Sequence, residues 1–208
     1  MREETTLSKL GHEAHEMTEA EFLERYQAQG YARPSVTADI VVFTVQDCLL
    51  RVLLIKRKGH PYQDHWAIPG GFLDVPKDAI RAAALRFGLD LNSGTTEGWP
   101  EEAVNLVSPL LEGNHPFTWD VNLDACAHRE LAEETSLPVG SCFLEQLYTF
   151  GSVTRDPRTY VATVAYYALV PSNLMSLVKP QDDAKDAQWF EVEALDIPLA
   201  FDHKKILD

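Results

Sequence analysis

What this chain lacks narrows the field first. No window approaches 18 consecutive apolar residues, and the opening "MREETTLSKLGHEAHEMTEA" holds no apolar core of signal-peptide type. Neither a membrane span nor a secretory leader is expected. Cysteine is scarce: Cys48, Cys126 and Cys142 are odd in number and show no CxxC spacing. A disulfide framework or a zinc site is therefore not expected, and a reducing compartment, the cytoplasm, fits. Positive charge is short as well. Lys and Arg total 18 against 32 Asp and Glu, a formal net charge of −14. Such a surface repels nucleic acid and anionic membranes, and an anionic ligand would need a bound metal or a few well-placed arginines. No repeat of solenoid length is present.

What is present suits one folded domain with at most a small appendage: 208 residues, of which 45% are hydrophobic and 24% charged. Residues 1–30 read as a polar tail of 16 residues followed by a short helix, "TEAEFLERYQAQG". Thr18 and Glu21 form a capping box there, and Gly30 is the expected stop. The main domain spans 31–208. "ADIVVFTV" and "LLRVLLIKR" are rich in β-branched and aliphatic residues and pair as a hairpin across "QDC". "HPYQDHWAIPGGFLD" gives a loop, a short strand and a Pro-Gly-Gly turn. Helical pieces follow at "DAIRAAALRF" and "PEEAVNLVSPLL", then a strong helix at "NLDACAHRELAEETSL". "CFLEQLYTFG", "TYVATVAYYALV" and "AQWFEVEAL" are strands, and "AFDHKKIL" closes with a short helix. The expected fold class is α+β, an α/β/α sandwich with a mixed β-sheet flanked by helices.

The helix from Asn122 to Leu137 carries the chemistry. At about 100° per residue, Glu130, Glu133 and Glu134 share one arc with Leu123, Cys126, Ala127 and Leu137. Asp124, His128, Arg129 and Thr135 fall opposite. Carboxylates on an inward face repel one another unless protonated or matched by a cation. A hard divalent ion such as Mg²⁺, which binds carboxylates together with substrate phosphates, answers that need. The alternative is a solvated helix face with Arg129 paired to Glu133 at i, i+4.

"GGFLD" followed by "RELAEETSL" resembles the signature of the Nudix hydrolases. The flanks "RPSVTADIVVFTV", "LLRVLLIKRKGHPYQDHWAIPGGFLD", "LEQLYTFGSVTRDPRTYVATVAYYALVP" and "LAFDHKKIL" resemble the subgroup of ADP-ribose pyrophosphatases and NAD-related regulators. The signature is split by an insertion at about 79–120. Its first glutamate is missing, the position falling on Lys77 counted forward or Val121 counted back. Ser136 stands where the family has glycine.

The resemblance implies Mg²⁺-dependent (or Mn²⁺-dependent) hydrolysis of the pyrophosphate bond of a nucleoside diphosphate derivative, ADP-ribose above all, giving AMP and ribose 5-phosphate. Glu130, Glu133 and Glu134 would be the metal-binding carboxylates, with the Gly70 carbonyl a further ligand. Glu133 or Glu134 would double as base, and Arg129 would orient a glutamate. Arg57, Arg155 and Arg158 are candidates for pyrophosphate or ribose, although a surface cation or a turn cap accounts for each equally. Trp66, Tyr148 and Phe150 are candidates to stack on a base, or are core. Asp182 and Asp183 are a possible downstream base or a solvated loop. His60, His65, His115 and His128 show no ligand spacing. A homodimer is expected by the same resemblance. The alternative is a sensor that binds ADP-ribose without cleaving it; because the sequence ends at Asp208, a following DNA-binding domain is not expected.

Overall fold

The computed structural model describes residues 18, 21, 33–76, 78–91, 95–110, 119–120, 122–137, 142–180 and 184–208. The polar tail, Gly30, Lys77, His115, Val121, Asp182 and Asp183 lie outside them. The chain divides into two units, Met1–Pro34 and Ser35–Asp208. In the first, Thr18 and Glu21 make the reciprocal bonds of a capping box: Thr18 N–H donates to Glu21 Oε2 at 2.8 Å and Glu21 N–H to Thr18 Oγ1 at 3.3 Å.

In the second unit the described residues form one mixed sheet. Its strands are β1 (Ser35–Gln46), β2 (Leu49–Arg57), β3 (Trp66–Ala67), β4 (Gly70–Phe72), β5 (Phe143–Phe150), β6 (Val161–Leu169) and β7 (Ala184–Glu191). The order is β3-β2-β1-β6-β5, with β4 also on β1 and β7 also on β2. Only β1 and β6 run parallel; the other pairings are antiparallel. The β1–β2 hairpin turns on Asp47 (φ 53°) and Cys48 (φ 63°), both left-handed, as a two-residue primed turn requires.

The helices are α1 (Asp78–Phe87), α2 (Glu101–Val107), α3 (Leu123–Thr135) and α4 (His203–Leu207). Strand alternation sends Ala38, Ile40 and Val42 of β1 to one face, where they bury Cys126, Ala127 and Leu131 of α3. Val41, Val52, Leu54 and Ala165 form a second core on the other face with Ile206 of α4. The sheet thus lies between helices, the sandwich the sequence implies. The insertion has a small core of its own, in which Ile80 and Ala83 of α1 meet Val107 of α2 with Trp99 and Trp119 alongside.

Two elements differ from the sequence reading. Gly70 and Gly71 are strand rather than turn, registered against Asp39 and Ala38. Only glycine permits this approach, since a Cβ on Gly70 would lie 2.4 Å from the Ala38 carbonyl oxygen. The last strand begins at Ala184, ahead of the aromatic run, because β2 is long enough to pair it as far as Arg57.

Candidate active site

Helix α3 starts where Asn122 Oδ1 accepts the Ala125 N–H at 2.8 Å, and ends at Ser136, which is left-handed (φ 60°) and donates its N–H to Ala132 O. Within it, Glu130 is buried, Glu134 partly buried and Glu133 exposed, its side chain retaining 50% of its accessible surface. The helical-wheel reading therefore corrects at three residues, Glu133, Thr135 and Arg129. Glu133 leaves the inward face, and Thr135, expected toward solvent, is fully buried with its hydroxyl donating to Leu131 O. The cause is the packing of α3 on β1 and β4, which shifts the buried stripe toward the side of Thr135.

Glu134 and Glu130 meet β4 from α3. Glu134 Oε2 accepts the Gly70 N–H at 2.7 Å. Glu130 lies so close to Gly71 that a Cβ there would fall 2.3 Å from its Oε1. Loss of solvent pushes the Glu134 carboxyl up to about 8, with the charges of Glu130 and Asp39 adding to it and the Gly70 N–H and Arg57 opposing. Burial raises Glu130 and Asp39 as well. Carboxylates crowded into low dielectric around one backbone segment call for positive charge, and an all-oxygen donor set suits a hard divalent cation. In donor chemistry the residues fit Mg²⁺.

Arg129 supplies part of that charge. It was expected on the far side of the helix, but its long stem lets the guanidinium arch over the first turns. It donates to Asp120 at 2.9 and 2.7 Å, to Glu130 at 2.7 Å, to Glu133 at 2.9 Å and to the Phe72 carbonyl at 3.1 Å. Its bonds to Asp120 head the causes that raise its pKa. Glu130 and Glu133 are thus held by Arg129. Among the described residues no three His, Cys, Asp or Glu side chains meet as a metal cluster.

Asp120 is the residue sequence reasoning missed. Its side chain is only 3% exposed. Besides holding Arg129, its Oδ2 accepts the Asp74 N–H at 2.9 Å and its own N–H donates to Asp74 O at 2.8 Å. These bonds close the base of the insertion and tie the end of the glycine loop to α3. A carboxylate in that role is what the missing signature glutamate left in doubt. No spacing rule finds it, because the insertion separates Asp120 from the glycines by some 50 positions of sequence.

Beside these carboxylates opens a cavity of about 310 Å³, lined by Gly70, Gly71 and Glu134 together with Arg57, Arg155 and Arg158. Arg57 Nε donates to Pro61 O at 2.9 Å and its guanidinium sits 5.0 Å from the Phe201 ring. Arg155 is buried between Asp202 (2.8 Å) and Asp39 (3.3 Å), pinning the β5–β6 loop to α4 and β1. Arg158 is held by Asp156 at 2.7 Å and lies over Phe72 and Phe201. The structure brings five sequence candidates together here: Gly70, Glu134, Arg57, Arg155 and Arg158. It does not bring Trp66, Tyr148 or Phe150 to the cavity lining. Trp66 packs edge-on against Phe190 in the second core, where Phe150 also packs, and Tyr148 is 66% exposed on β5. The aromatic rings at the cavity are Phe72 and Phe201.

His203 also lines the cavity. Its Nδ1 accepts the Ile68 N–H at 3.0 Å, so the ring hydrogen sits on Nε2. Burial first, then the charges of Arg155 and Arg57, push its pKa down to about 3, and the ring stays neutral. The histidines singled out earlier did not include it; its "FDHKK" context gave no ligand spacing.

Comparison with known proteins bears on the family and the fold. The NUDIX domain family matches residues 117–208. The crystallised NUDIX domain of Shewanella oneidensis NrtR, complexed with ADP ribose, is 30% identical over 92% of this chain and 95% of that one, with a TM-score of 0.62. An ADPR responsive transcriptional repressor from Acinetobacter baylyi is 31% identical over 91% of this chain. An ADP-ribose pyrophosphatase from Methanocaldococcus jannaschii is 28% identical over 85%. This chain spans 58% of the length of the repressor and 73% of that of the pyrophosphatase. The chain belongs to the Nudix family.

Proposed function

We propose that this chain hydrolyses the pyrophosphate bond of a nucleoside diphosphate derivative, with ADP-ribose the first candidate and AMP and ribose 5-phosphate the products. The observation that carries the reading is the union of Glu134 with Gly70 (2.7 Å) at the edge of a cavity holding Arg57 and Arg158. Carboxylates for a cation and guanidiniums for phosphate oxygens then face one space. Glu130, Glu133 and Glu134, with the Gly70 carbonyl, would hold Mg²⁺ or Mn²⁺. Bound there, the ion supplies charge neutralisation and acidifies the attacking water. Arg57 and Arg158 neutralise the spreading charge on the phosphates, Arg158 with its fork fixed by Asp156. Arg129 fixes the rotamers of Glu130 and Glu133. Glu133, the most solvated of the three, or Glu134 takes the proton from water. Similarity to an ADP-ribose pyrophosphatase supports the reading.

A second reading, a sensor that binds ADP-ribose without cleaving it, is favoured by the hold of Arg129 on Glu130 and Glu133 and by the similarity to the repressor. A panel of nucleoside diphosphate derivatives with Mg²⁺, scored for AMP release, separates the two. Turnover that Glu133→Gln leaves intact would remove the metal assignment. No cleavage, with a melting temperature raised by ADP-ribose, would establish the sensor. The reading takes a small-molecule ligand rather than nucleic acid or membrane as partner, supported by the −14 charge, and a cytoplasmic homodimer as the assembly. Sedimentation analysis tests the last.

A further inference from the structure

Strand alternation and register decide which side chains share each face of the sheet. Phe43 and Val45 of β1 point to the α4 side, as do Val52 of β2 and Tyr167 and Leu169 of β6. On β5 the bulge between Gln146 and Tyr148 resets the alternation, so Phe143 before it and Tyr148 after it both point there too. One row across the sheet runs Val52, Phe43, Leu169, Phe143. Its cover thins along the way. Val52 is buried with Ile206 of α4, Phe43 is half-buried, and Leu169 and Phe143 are exposed. Helix α4 has only five residues, about 7.5 Å of helix, against about 14 Å from β2 to β5. Val45, Phe143, Tyr148 and Leu169 each keep at least half of their accessible surface.

Charge and area say what would cover this half of the face. The Phe143 ring lies 5.8 Å from Tyr167 and the Tyr148 ring 5.4 Å from Phe150, so the surface is rigid and aromatic. None of these side chains is charged, and the neighbouring Glu145 carboxylate accepts the Tyr167 hydroxyl at 2.5 Å. Such a face has no complement for a basic or an acidic partner. Two chains of net charge −14 repel one another, and they can meet closely only where neither brings charge. Half-exposed side chains of this size, with Leu50 beside Val45, present about 500 Å² a side. Two copies then bury about 1,000 Å², the lower end of specific interfaces. We propose that two copies of this chain pair through the β5–β6 half of this sheet face. The contact is isologous, with the two sheets stacked about 10 Å apart. It names the surface for the homodimer reading above and rests on that reading, not on the hydrolytic one.

Sedimentation velocity over a concentration series would compare wild type with Phe143→Glu, Leu169→Glu and, as control, Leu85→Glu, an exposed position on α1. Wild type and the control should form the same dimer. Each of the other two variants should raise the dissociation constant about a hundredfold or more, because every dimer would bury two added carboxylates. Should either variant fail to fold, hydroxyl-radical footprinting of wild type decides. Phe143 and Tyr148 should be protected at high protein concentration and not at low, and Leu85 at neither. The proposal is overturned by a dimer that Phe143→Glu and Leu169→Glu leave intact, by an equal loss in Leu85→Glu, or by footprints that do not change with concentration. In the first of these cases the homodimer stands and only its surface is wrong. A wild type that stays monomeric throughout overturns both.

Discussion

Removing the Asp120 carboxylate tests how this chain manages without the first signature glutamate. Asp120→Ala deletes two charge-assisted bonds to Arg129 and the acceptor for the Asp74 N–H. Stripping one partner from a buried ion pair costs about 3–5 kcal/mol when the other charge is stranded. Arg129 is not stranded, because Glu130 and Glu133 still hold it and it is 26% exposed. The lower end, about 3 kcal/mol, is therefore expected. For a chain of this size that lowers the melting temperature by about 6–12 °C, read by circular dichroism. A double-mutant cycle with Arg129→Ala isolates the pair, and a coupling of about 2 kcal/mol is expected. A melting temperature within about 1 °C of wild type, or a coupling near zero, would refute the idea that Asp120 anchors the loop to α3.

Ser136→Gly relieves a left-handed residue that favours glycine and should stabilise by about 1 kcal/mol, a rise of about 2–4 °C in the same melt. Glu134→Gln should abolish any Mg²⁺-dependent rise in melting temperature, while Asp124→Asn, on the same helix, should leave that rise in place. Asp156 sets a pH dependence. Burial alone would raise its carboxyl, but the bonds from the Arg158 guanidinium and N–H hold it below the usual range. With its folded pKa depressed, its contribution is full above the unfolded value of about 3.9 and fades as pH falls through the folded one. The melting difference between wild type and Asp156→Asn should thus be large at neutral pH and shrink below about pH 3.9. A difference independent of pH would refute it.

Much of this molecule was legible in one dimension. The β-branched runs at Ala38–Val45 and Thr159–Val170, the Thr18–Glu21 capping box and the Arg129–Glu134 block are local signals: propensity and capping act between near neighbours, and sequence spacing records them. They were enough to expect a mixed sheet flanked by helices and an acidic helix at its site. The direction of each side chain was decided elsewhere. Glu133 faces water and Thr135 the core because α3 settles on β1 and β4, a contact no helical wheel contains. Arg129 turns inward to Asp120, Trp66 and Phe150 join the second core, and Phe72 and His203 reach the cavity, all through partners distant in the chain. Periodicity fixes which element a residue joins. Burial against other elements fixes what that residue can touch, and here it drew the cavity's floor from β1, β4, α3, α4 and the β5–β6 loop together.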